Sequence, residues 1–337
     1  MNKFKLVIFG DEWDVYQVAH KDWIEDPKIT YIPTFRPKGV PGFLQRVQFN
    51  PRLNNMLSMP GKNLWNRYYL RHTDGQRVCF LITEHWLRME NGIKLLPFLR
   101  QHYPEGKIVC FTQDLIHTIK DHYSHKPIDV DYIKNYADAL ISYDKTDATK
   151  YGIFYHPTVF SPIQTEDGKQ QEQYDLYFLG RDKGRLNTLV KIHDEASKRG
   201  LKCRFVLLEV PKAMQAQRDG IVYLPSTVSY AENLQGCAGC KCIIEMLQAD
   251  ACSPTFRTWE TIMLNKKLLT NNASITKSEL YDPRYISVFH DETDIDWDFI
   301  IAGPAFPDGE NPHQKAIVPD ALISFIENIL KIQIDRT

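Results

Sequence analysis

The sequence predicts an α/β protein, because short apolar runs alternate with longer amphipathic stretches along most of the chain. The short runs are rich in Val, Ile, Leu and Phe, which is typical of strands buried in a mostly parallel sheet. The longer stretches carry apolar residues at helical spacing, as helices that cover such a sheet do. The chain has 337 residues, more than one hydrophobic core usually serves, so we expect two domains.

The first half of the chain contains four strand candidates with helical patterns between them. They are residues 4–9, 78–83, 108–112 and 139–143. The segment SPIQTEDGKQQEQ at residues 161–173 is polar, has no apolar period and predicts a linker. We therefore expect a first domain over residues 1–161.

The second half repeats this alternation of strands and helices. Its strand candidates are residues 175–179, 203–208, 242–246, 267–269 and 286–289. The pattern predicts a second Rossmann-like lobe over residues 174–318. A final helix at 320–332 has an apolar face, and we expect residues 319–337 to pack on one lobe or to cross back to the first.

Charge and cysteine content exclude several classes of protein. The formal net charge of −1 gives no broad cationic field, which argues against nucleic acid as the main partner. No apolar run approaches the roughly 20 residues of a membrane span, and the N-terminus lacks a signal-peptide layout, so we expect a cytoplasmic protein. Cys237, Cys240 and Cys242 form a CxxCxC cluster without a fourth ligand, and we expect no metal site.

Three cations follow the strand pattern DLYFLG. Arg181, Lys183 and Arg185 stand at the start of a predicted helix, and Gly180 before them permits a tight turn. A helix N-terminus offers free N–H groups and a partial positive charge to an anion. The segment is therefore a candidate diphosphate site, with a solvated basic loop as the alternative.

A second polar pair lies in SPTFRTWETIMLNKKLLTNN, where Ser253 and Pro254 suit a helix start. Arg257 and Glu260 are three residues apart, so both project from one face of that helix. An arginine can hold phosphate oxygens bidentately, and a glutamate can accept hydrogen bonds from both hydroxyls of a ribose. The alternative is a salt bridge within the helix.

Three segments resemble bacterial glycosyltransferases of the GT-B architecture that build lipopolysaccharide, capsule or other surface glycans, with relatives of the spore-protein CgeB type. They are SYDKTDATKYGIFYHPTVF at residues 142–160, DLYFLGRDKGR at 175–185 and the block at 242–272. The resemblance implies two Rossmann-like lobes that face a central cleft. It also implies that Arg257 and Glu260 face the phosphates and ribose of a nucleotide-sugar donor and that Tyr230 lies near the nucleotide base.

The implied activity is transfer of a sugar from a nucleotide diphosphate sugar to a glycan acceptor, without a metal or another cofactor. A lipid-linked acceptor would bring the protein to the inner face of the membrane, although the pattern shows no obvious basic amphipathic helix. The chain departs from the family where Ala251 and Ser253 replace a Gln and a Gly, and where Glu245 replaces an aspartate. These changes leave the donor sugar open.

The first lobe must supply any base that deprotonates the acceptor. Asp11 follows the first strand in VIFGDEW and is the first candidate. Asp114 in CFTQDLIH, and Glu84 or His85 in FLITEHW, hold the same position after their strands. Ligands of open α/β sheets bind at this edge, although a helix cap is the alternative role for each carboxylate.

Aromatic side chains near these strand ends are candidates for stacking on acceptor sugars, with core packing as the alternative. They are Trp13, Trp65, Tyr68, Tyr69 and Trp86. Two other functions stay open, a nucleotide-sugar epimerase of similar shape and a catalytically silent binding or scaffold protein. A Rossmann oxidoreductase is disfavoured, because VIFGDEW has a single glycine where the dinucleotide fingerprint needs GxGxxG.

Overall fold

The structure is a computed structural model in which the chain divides into two compact units, Met1–Ser161 with Ala316–Thr337, and Pro162–Lys315. Each unit contains a six-stranded parallel sheet flanked by helices, which confirms the α/β class. The structure describes residues 3–34, 39–57, 59–71, 73, 77–163, 172–215, 217–247, 253–307 and 310–336.

The first sheet has the strand order β2-β1-β3-β4-β5-β6. Its strands are β1 Lys5–Gly10, β2 Thr30–Pro33, β3 Val78–Thr83, β4 Lys107–Thr112, β5 Ala139–Ser142 and β6 Phe154–Tyr155. The helices of this part of the chain are α1 Asp14–Ala19, α2 Lys21–Glu25, α3 Val40–Gln48, α4 Pro51–Met56, α5 Leu64–Tyr69, α6 Glu84–Leu87, α7 Glu90–Ile93, α8 Leu95–His102, α9 Val130–Tyr136 and α10 Lys145–Tyr151, with a 3₁₀ turn at Ile116–Thr118.

The second sheet has the strand order β12-β11-β10-β7-β8-β9. Its strands are β7 Tyr174–Arg181, β8 Cys203–Leu208, β9 Ile221–Leu224, β10 Cys240–Glu245, β11 Lys267–Thr270 and β12 Ile286–Val288. The helices that follow are α11 Leu186–Lys198, α12 Tyr230–Ala238, α13 Phe256–Met263, α14 Trp297–Ile301, α15 Gln314–Ile317 and α16 Pro319–Leu330, with 3₁₀ turns at Lys212–Met214 and Ala273–Lys277.

Both faces of the first sheet are buried, which explains why its strands are continuously apolar. Phe80 and Ile82 of β3 belong to the core on one face, whereas Cys79 and Leu81 belong to the core on the other. Helix α16 packs on this second face through Leu322, Ile323 and Ile326. The end of the chain therefore completes the core of the first unit.

The described helices include none that is both long and apolar enough to cross a membrane. The longest of them, α11, is 13 residues long.

Candidate active site

The strand order of the second sheet reverses between β7 and β10, which are neighbours. In open α/β sheets, ligands bind at the carboxyl ends of the strands beside such a reversal. Gly180 and Arg181 end β7, and Glu245 ends β10. The two segments singled out in the sequence therefore meet at the expected place for a ligand.

Arg257, in the first turn of α13, lies directly against the end of β7. Its Nη2 donates a hydrogen bond to the carbonyl oxygen of Leu179 at 2.9 Å, and its Nη1 forms an ion pair with Oε2 of Glu260 at 2.5 Å. Burial alone lowers the pKa of Arg257, but the charge of Glu260 outweighs it and raises the pKa on balance. The guanidinium is thus a fixed cation at the strand end.

Glu260 is fully buried and joins α13 to α12. Its Oε1 accepts a hydrogen bond from Nδ2 of Asn233 at 2.8 Å, and its Oε2 also accepts one from Sγ of Cys237 at 3.4 Å. Burial, followed by the charge of Glu260, raises the pKa of Tyr230 well above its ordinary value. The salt bridge is present, whereas contact of Glu260 or Tyr230 with a ribose or base stays a prediction.

Arg185 bridges the ends of β7 and β10. Its Nη1 donates to the carbonyl oxygen of Met246 and its Nη2 to that of Arg181, both at 2.5 Å. Burial, and after it the charge of Arg257, lowers the pKa of Arg185, although Asp182 opposes this effect. Two guanidinium groups thus repel each other at this edge, and a bound dianion would relieve that repulsion.

Gly180 does not form the tight turn predicted for it. It lies inside β7, and a Cβ built there would approach Cζ of Phe178 at 3.2 Å and Nη2 of Arg185 at 3.4 Å. The residue therefore leaves room for the ring of Phe178 and, next to it, for the Arg185 guanidinium. The turn is made by Lys183 and Gly184, whose φ angles of 44° and 82° are both left-handed.

Arg181 and Lys183, the other cations that follow β7, contribute less to an anion site than the sequence suggests. Arg181 is exposed and pairs with Glu209 at 3.1 Å, and Lys183 is also exposed. The N–H of Leu186, at the start of α11, donates to Oδ1 of Asp182 at 2.7 Å. Because a carboxylate already occupies this helix N-terminus, anion binding would depend chiefly on Arg185 and Arg257.

Glu245 fixes the helix that carries Arg257, a role that sequence reasoning missed. Its Oε1 accepts hydrogen bonds from the hydroxyls of Thr255 and Thr258 at 2.6 and 3.1 Å, and its Oε2 accepts one from the hydroxyl of Thr270 at 2.7 Å. Thr255 is the N-cap of α13, so the predicted start at Ser253 and Pro254 is two residues too early. Ala251 lies outside the described residues.

In the first sheet, the strand order reverses between β1 and β3. Asp11 follows β1 and His85 follows β3, and Oδ2 of Asp11 lies 3.3 Å from Nδ1 of His85. Only 5% of the Asp11 side chain and 16% of the His85 side chain are exposed. Burial lowers the pKa of His85 despite the charge of Asp11, which favours the neutral imidazole, and the buried carboxylate orients the ring.

Glu84, in α6, is buried and forms hydrogen bonds to α1 and to the segment that follows β4. Its Oε1 accepts a hydrogen bond from the hydroxyl of Tyr16 at 3.1 Å, and its Oε2 accepts one from the amide of Gln113. Burial raises the pKa of Glu84 to about 7. These contacts favour a structural role over direct contact with an acceptor.

Asp114 has the contacts of a loop cap. Its Oδ1 accepts hydrogen bonds from the amide of Leu115 at 2.9 Å and the hydroxyl of Thr118 at 3.2 Å, and its Oδ2 lies 3.3 Å from Nη2 of Arg88. Its side chain is 48% exposed, so it remains accessible. Of the candidates in this unit, Asp11 and His85 are the two that contact each other across the reversal in strand order.

Trp13 is the predicted stacking residue that is most open to a ligand. It is 60% exposed, and its ring centroid lies 5.7 Å from that of His85 in an edge-on arrangement. Trp86, by contrast, is 1% exposed, and Trp65 and Tyr69 are partly buried against the same core. The structure thus places one exposed aromatic ring beside the Asp11–His85 pair.

The cysteine cluster is buried, and burial raises the pKa of Cys240 to about 12 and that of Cys237 and Cys242 well above the ordinary value. Cys252 lies outside the described residues. Within those residues, no group of three or more His, Cys, Asp or Glu side chains could hold a metal ion.

A pocket of about 1210 Å³ lies at the opposite edge of the second sheet, where β8 and β9 begin. Lys198, Arg204 and Arg218 are among its lining residues, and none of the predicted donor-binding residues lines it. The topology of the sheet and the two partly buried guanidinium groups of Arg185 and Arg257 favour the carboxyl edge instead.

The sequence matches no protein-family model and no curated protein. Among solved structures, the fold is similar to that of an alpha-glucosyltransferase in complex with UDP and a 13-mer DNA, with 10% identity, a TM-score of 0.59, and coverage of 96% of this chain and 99% of that one. It is also similar to the catalytic domain of starch synthase IV from Arabidopsis thaliana bound to ADP and acarbose, with 8% identity, a TM-score of 0.57, and coverage of 98% and 99%.

A third similar structure is a Listeria monocytogenes protein assigned as a UDP-N-acetylglucosamine 2-epimerase, with 7% identity, a TM-score of 0.54, and coverage of 99% and 100%. At these identities the likeness establishes the fold. The predicted pair of Rossmann-like lobes, in the α/β architecture of GT-B glycosyltransferases, is thereby confirmed.

Proposed function

We propose that this protein is a glycosyltransferase that moves a sugar from a nucleotide diphosphate sugar to a glycan hydroxyl, without a bound metal or another cofactor. The observation that carries the proposal is the meeting of Arg185 and Arg257 at the reversal in strand order of the second sheet. Structures of similar fold hold UDP or ADP, which are the products that such donors leave behind.

The donor binds to the second unit in this proposal. Arg185 and Arg257 hold the diphosphate, because a planar guanidinium matches phosphate oxygens in two-point hydrogen bonds. Arg181 and Lys183 add positive charge at the rim, and Tyr230 with Glu260 lies on the nucleoside side. Fixed cations that face the leaving diphosphate stabilise the charge that develops there, which is the task a metal performs elsewhere.

The acceptor binds to the first unit. His85, oriented by Asp11, takes the proton from the acceptor hydroxyl, and the exposed ring of Trp13 stacks on the acceptor sugar. The hydroxyl oxygen forms a bond to the anomeric carbon while the bond from that carbon to the diphosphate oxygen breaks. The electron pair of the broken bond leaves with the nucleoside diphosphate.

We take the acceptor to be a glycan of a bacterial surface polysaccharide or lipopolysaccharide, lipid-linked and met at the inner face of the membrane. The support for this finer assignment is the sequence resemblance to transferases of that role, including the CgeB type. One similar structure contains DNA, but the net charge of this chain is −1, which favours a glycan over a polyanion.

A nucleotide-sugar epimerase is the second candidate, because a protein assigned to that activity has a similar fold. An epimerase would convert the donor sugar without any acceptor. Analysis of the products of incubation with a donor, with and without glycan acceptors, separates the two activities.

The first test is a thermal-shift screen of the wild type against UDP, ADP, GDP, CDP and TDP. A ligand at about 100 times its Kd stabilises the folded state by about 2.7 kcal/mol, which is a shift of several degrees. We expect one nucleotide to raise the melting temperature of the wild type and not that of Arg257→Ala.

Arg284→Ala is the matched control, since it removes an exposed arginine of the same unit. The control should keep the shift caused by the nucleotide. Equal shifts of melting temperature in the wild type and Arg257→Ala would show that Arg257 is not part of the donor site. No shift of the wild type with any nucleotide would favour a binding or scaffold role.

A further inference from the structure

One stretch of the first unit is strongly basic within a chain whose formal net charge is −1. Residues 27–73 contain eight Lys or Arg residues and no Asp or Glu. The stretch includes α3, α4 and α5, which lie between β2 and β3. The remainder of the chain is therefore net acidic, and the excess positive charge is concentrated in this part of the sequence.

The same stretch exposes most of the large apolar side chains that the described part of the chain leaves in solvent. Seven of the eleven such residues lie between positions 40 and 64. Phe43 and Leu44 of α3 are 61% and 55% exposed, and Met56 and Leu57 around the end of α4 are 87% and 70% exposed. Single exposed apolar residues are ordinary, but a cluster of them marks an interaction surface.

Helix α3 is oriented against the usual rule, with a polar residue inside and apolar residues outside. Gln45 is 1% exposed and donates a hydrogen bond to the hydroxyl of Tyr69 on α5, whereas Phe43 and Leu44 face solvent. The side chain of Gln48 accepts a hydrogen bond from Nε1 of Trp65 at 2.7 Å. Helix α3 is thus fixed to α5 by polar contacts, which keep its apolar side outward.

Helix α4 is held to the same group, because Nδ2 of Asn54 donates to the backbone oxygen of Gln48 at 2.8 Å. The helices α3, α4 and α5 therefore form one structural group, which we call the basic helical layer and which comprises residues 40–57 and 59–69. Its exposed cations include Arg46, Arg52 and Arg67. The layer combines outward apolar side chains with positive charge, which is the chemistry of a helix surface that lies in a lipid interface.

We propose that the basic helical layer docks onto a membrane surface that contains anionic lipids. Phe43, Leu44 and Met56 would enter the boundary between headgroups and acyl chains, while the arginines contact lipid phosphates. The sequence pattern did not indicate such a helix, because the apolar and basic residues are spread over three short helices. The proposal rests on the proposed function for the place of the acceptor at a membrane and adds the surface that makes the contact, whereas docking itself does not depend on donor binding.

Two other occupants fit the layer less well. Nucleic acid is held chiefly through its phosphates, and it would leave the exposed Phe, Leu and Met side chains without a partner. A second copy of this chain would bring one cationic layer against another under two-fold symmetry, and like charges would then repel. An anionic lipid surface satisfies both the charge and the apolar side chains.

The test is co-sedimentation of the full chain with vesicles of equimolar phosphatidylglycerol and phosphatidylcholine, and with vesicles of phosphatidylcholine alone. We expect binding to the anionic vesicles to be about tenfold tighter and to weaken as salt is added. The double variant Phe43→Ser, Leu44→Ser should lose about tenfold or more in vesicle affinity. Arg46→Glu, Arg52→Glu should lose a similar factor.

The control is Met214→Ser, Ile301→Ser, which removes two apolar side chains that are 53% and 50% exposed on the second unit. It should bind vesicles as the wild type does. Melting curves and nucleotide-induced shifts of Phe43→Ser, Leu44→Ser should match those of the wild type, so a failure of docking stays separate from a failure of the donor site.

Several results would overturn the proposal. One is equal vesicle binding by the wild type and both layer variants. A second contradicting result is a wild type that forms dimers and does not bind vesicles, together with a Phe43→Ser, Leu44→Ser variant that is monomeric. A second copy of the chain would then cover the layer. Binding to duplex DNA in place of anionic vesicles would likewise exclude a lipid partner.

Discussion

Asp11 and His85 come from different strands and meet where the strand order of the first sheet reverses. A buried carboxylate next to one imidazole nitrogen fixes the orientation of the ring and stabilises the cation that forms when the ring takes a proton. Asp11 would then act through His85 as a positioning residue, and His85 would contact the acceptor.

His85→Ala should therefore lower kcat by about a hundredfold to ten-thousandfold, with a smaller effect on KM. Asp11→Asn should lower kcat less, because the ring remains but loses its charged partner. The wild-type kcat should fall toward acid pH as the imidazole becomes protonated, and this limb should be absent in His85→Ala. A loss in Asp114→Asn as large as that in His85→Ala would argue for Asp114 as the base.

Glu84 makes the stability of the protein depend on pH. Burial raises its pKa from 4.5 to about 7 in the folded state, so the folded protein binds more protons than the unfolded chain between these values. The stabilisation is complete below about pH 4.5 and is lost as the pH rises through about 7. At about 1.4 kcal/mol per pKa unit, the change amounts to about 3 kcal/mol.

Glu84→Gln removes this titration and keeps the shape of the side chain. Between pH 4.5 and 8, its free energy of unfolding should therefore rise relative to that of the wild type by about 3 kcal/mol. Urea unfolding at several pH values measures this difference. The buried Glu90 titrates in both proteins, so its contribution cancels in the difference between their free energies of unfolding. If that difference did not change with pH, Glu84 would not be the group responsible for the pH dependence.

The candidate site residues could be identified from the sequence because the ends of apolar strands can be recognised in it. Asp11, His85 and Arg257 all stand within a few residues of such ends or of the helix that follows. The spacing of Arg257 and Glu260 offered their salt bridge as an alternative, and it is present. The contacts of Glu260 with Asn233 and of Glu245 with Thr270 could not be identified, since they depend on tertiary packing. The turn placed at Gly180 was wrong because a glycine can also provide space beside a neighbouring side chain.

At the scale of elements, β10 and α13 are coupled by the hydrogen bonds that Glu245 accepts from Thr255 and Thr258. Glu245→Gln removes the charge and one acceptor oxygen from this buried group. It should lower the free energy of unfolding by about 1–3 kcal/mol and weaken nucleotide binding, because α13 carries Arg257. Urea unfolding and nucleotide titration measure the two effects.

Asp296→Ala is the control for this prediction, because Asp296 caps α14 by accepting a hydrogen bond from the amide of Phe299 at 2.9 Å. Loss of a cap costs about 1 kcal/mol, and it should leave nucleotide affinity unchanged. If Glu245→Gln also kept wild-type affinity, Arg257 would not depend on this coupling.

Nine strands predicted from apolar runs overlap strands of the structure, and the three strands that were missed among the described residues lie at sheet edges. They are β2, β6 and β9. Strand β2 contains Pro33, β6 has two residues, and β9 is partly exposed, so none has the long apolar run of a central strand. An edge strand is buried by fewer neighbouring elements than a central strand, so its sequence has fewer of the consecutive apolar residues by which a strand is predicted.

At the scale of the whole molecule, both units place their candidate residues where the strand order of a parallel sheet reverses. The alternation of strands and helices was sufficient to predict two such lobes. The same pattern could not assign α16 to one of the two lobes, because an apolar helix face shows that the helix packs against something but does not identify the surface. The structure assigns it to the first unit through Leu322, Ile323 and Ile326.

The most direct test of the donor site is a crystal structure of the protein with the nucleoside diphosphate that gives the largest thermal shift. We expect phosphate oxygens within hydrogen-bond distance of the guanidinium groups of Arg185 and Arg257, at the carboxyl ends of β7 and β10. A nucleotide bound instead at the opposite edge of the sheet, beside Lys198, Arg204 and Arg218, would contradict the proposed site and the transfer mechanism built on it.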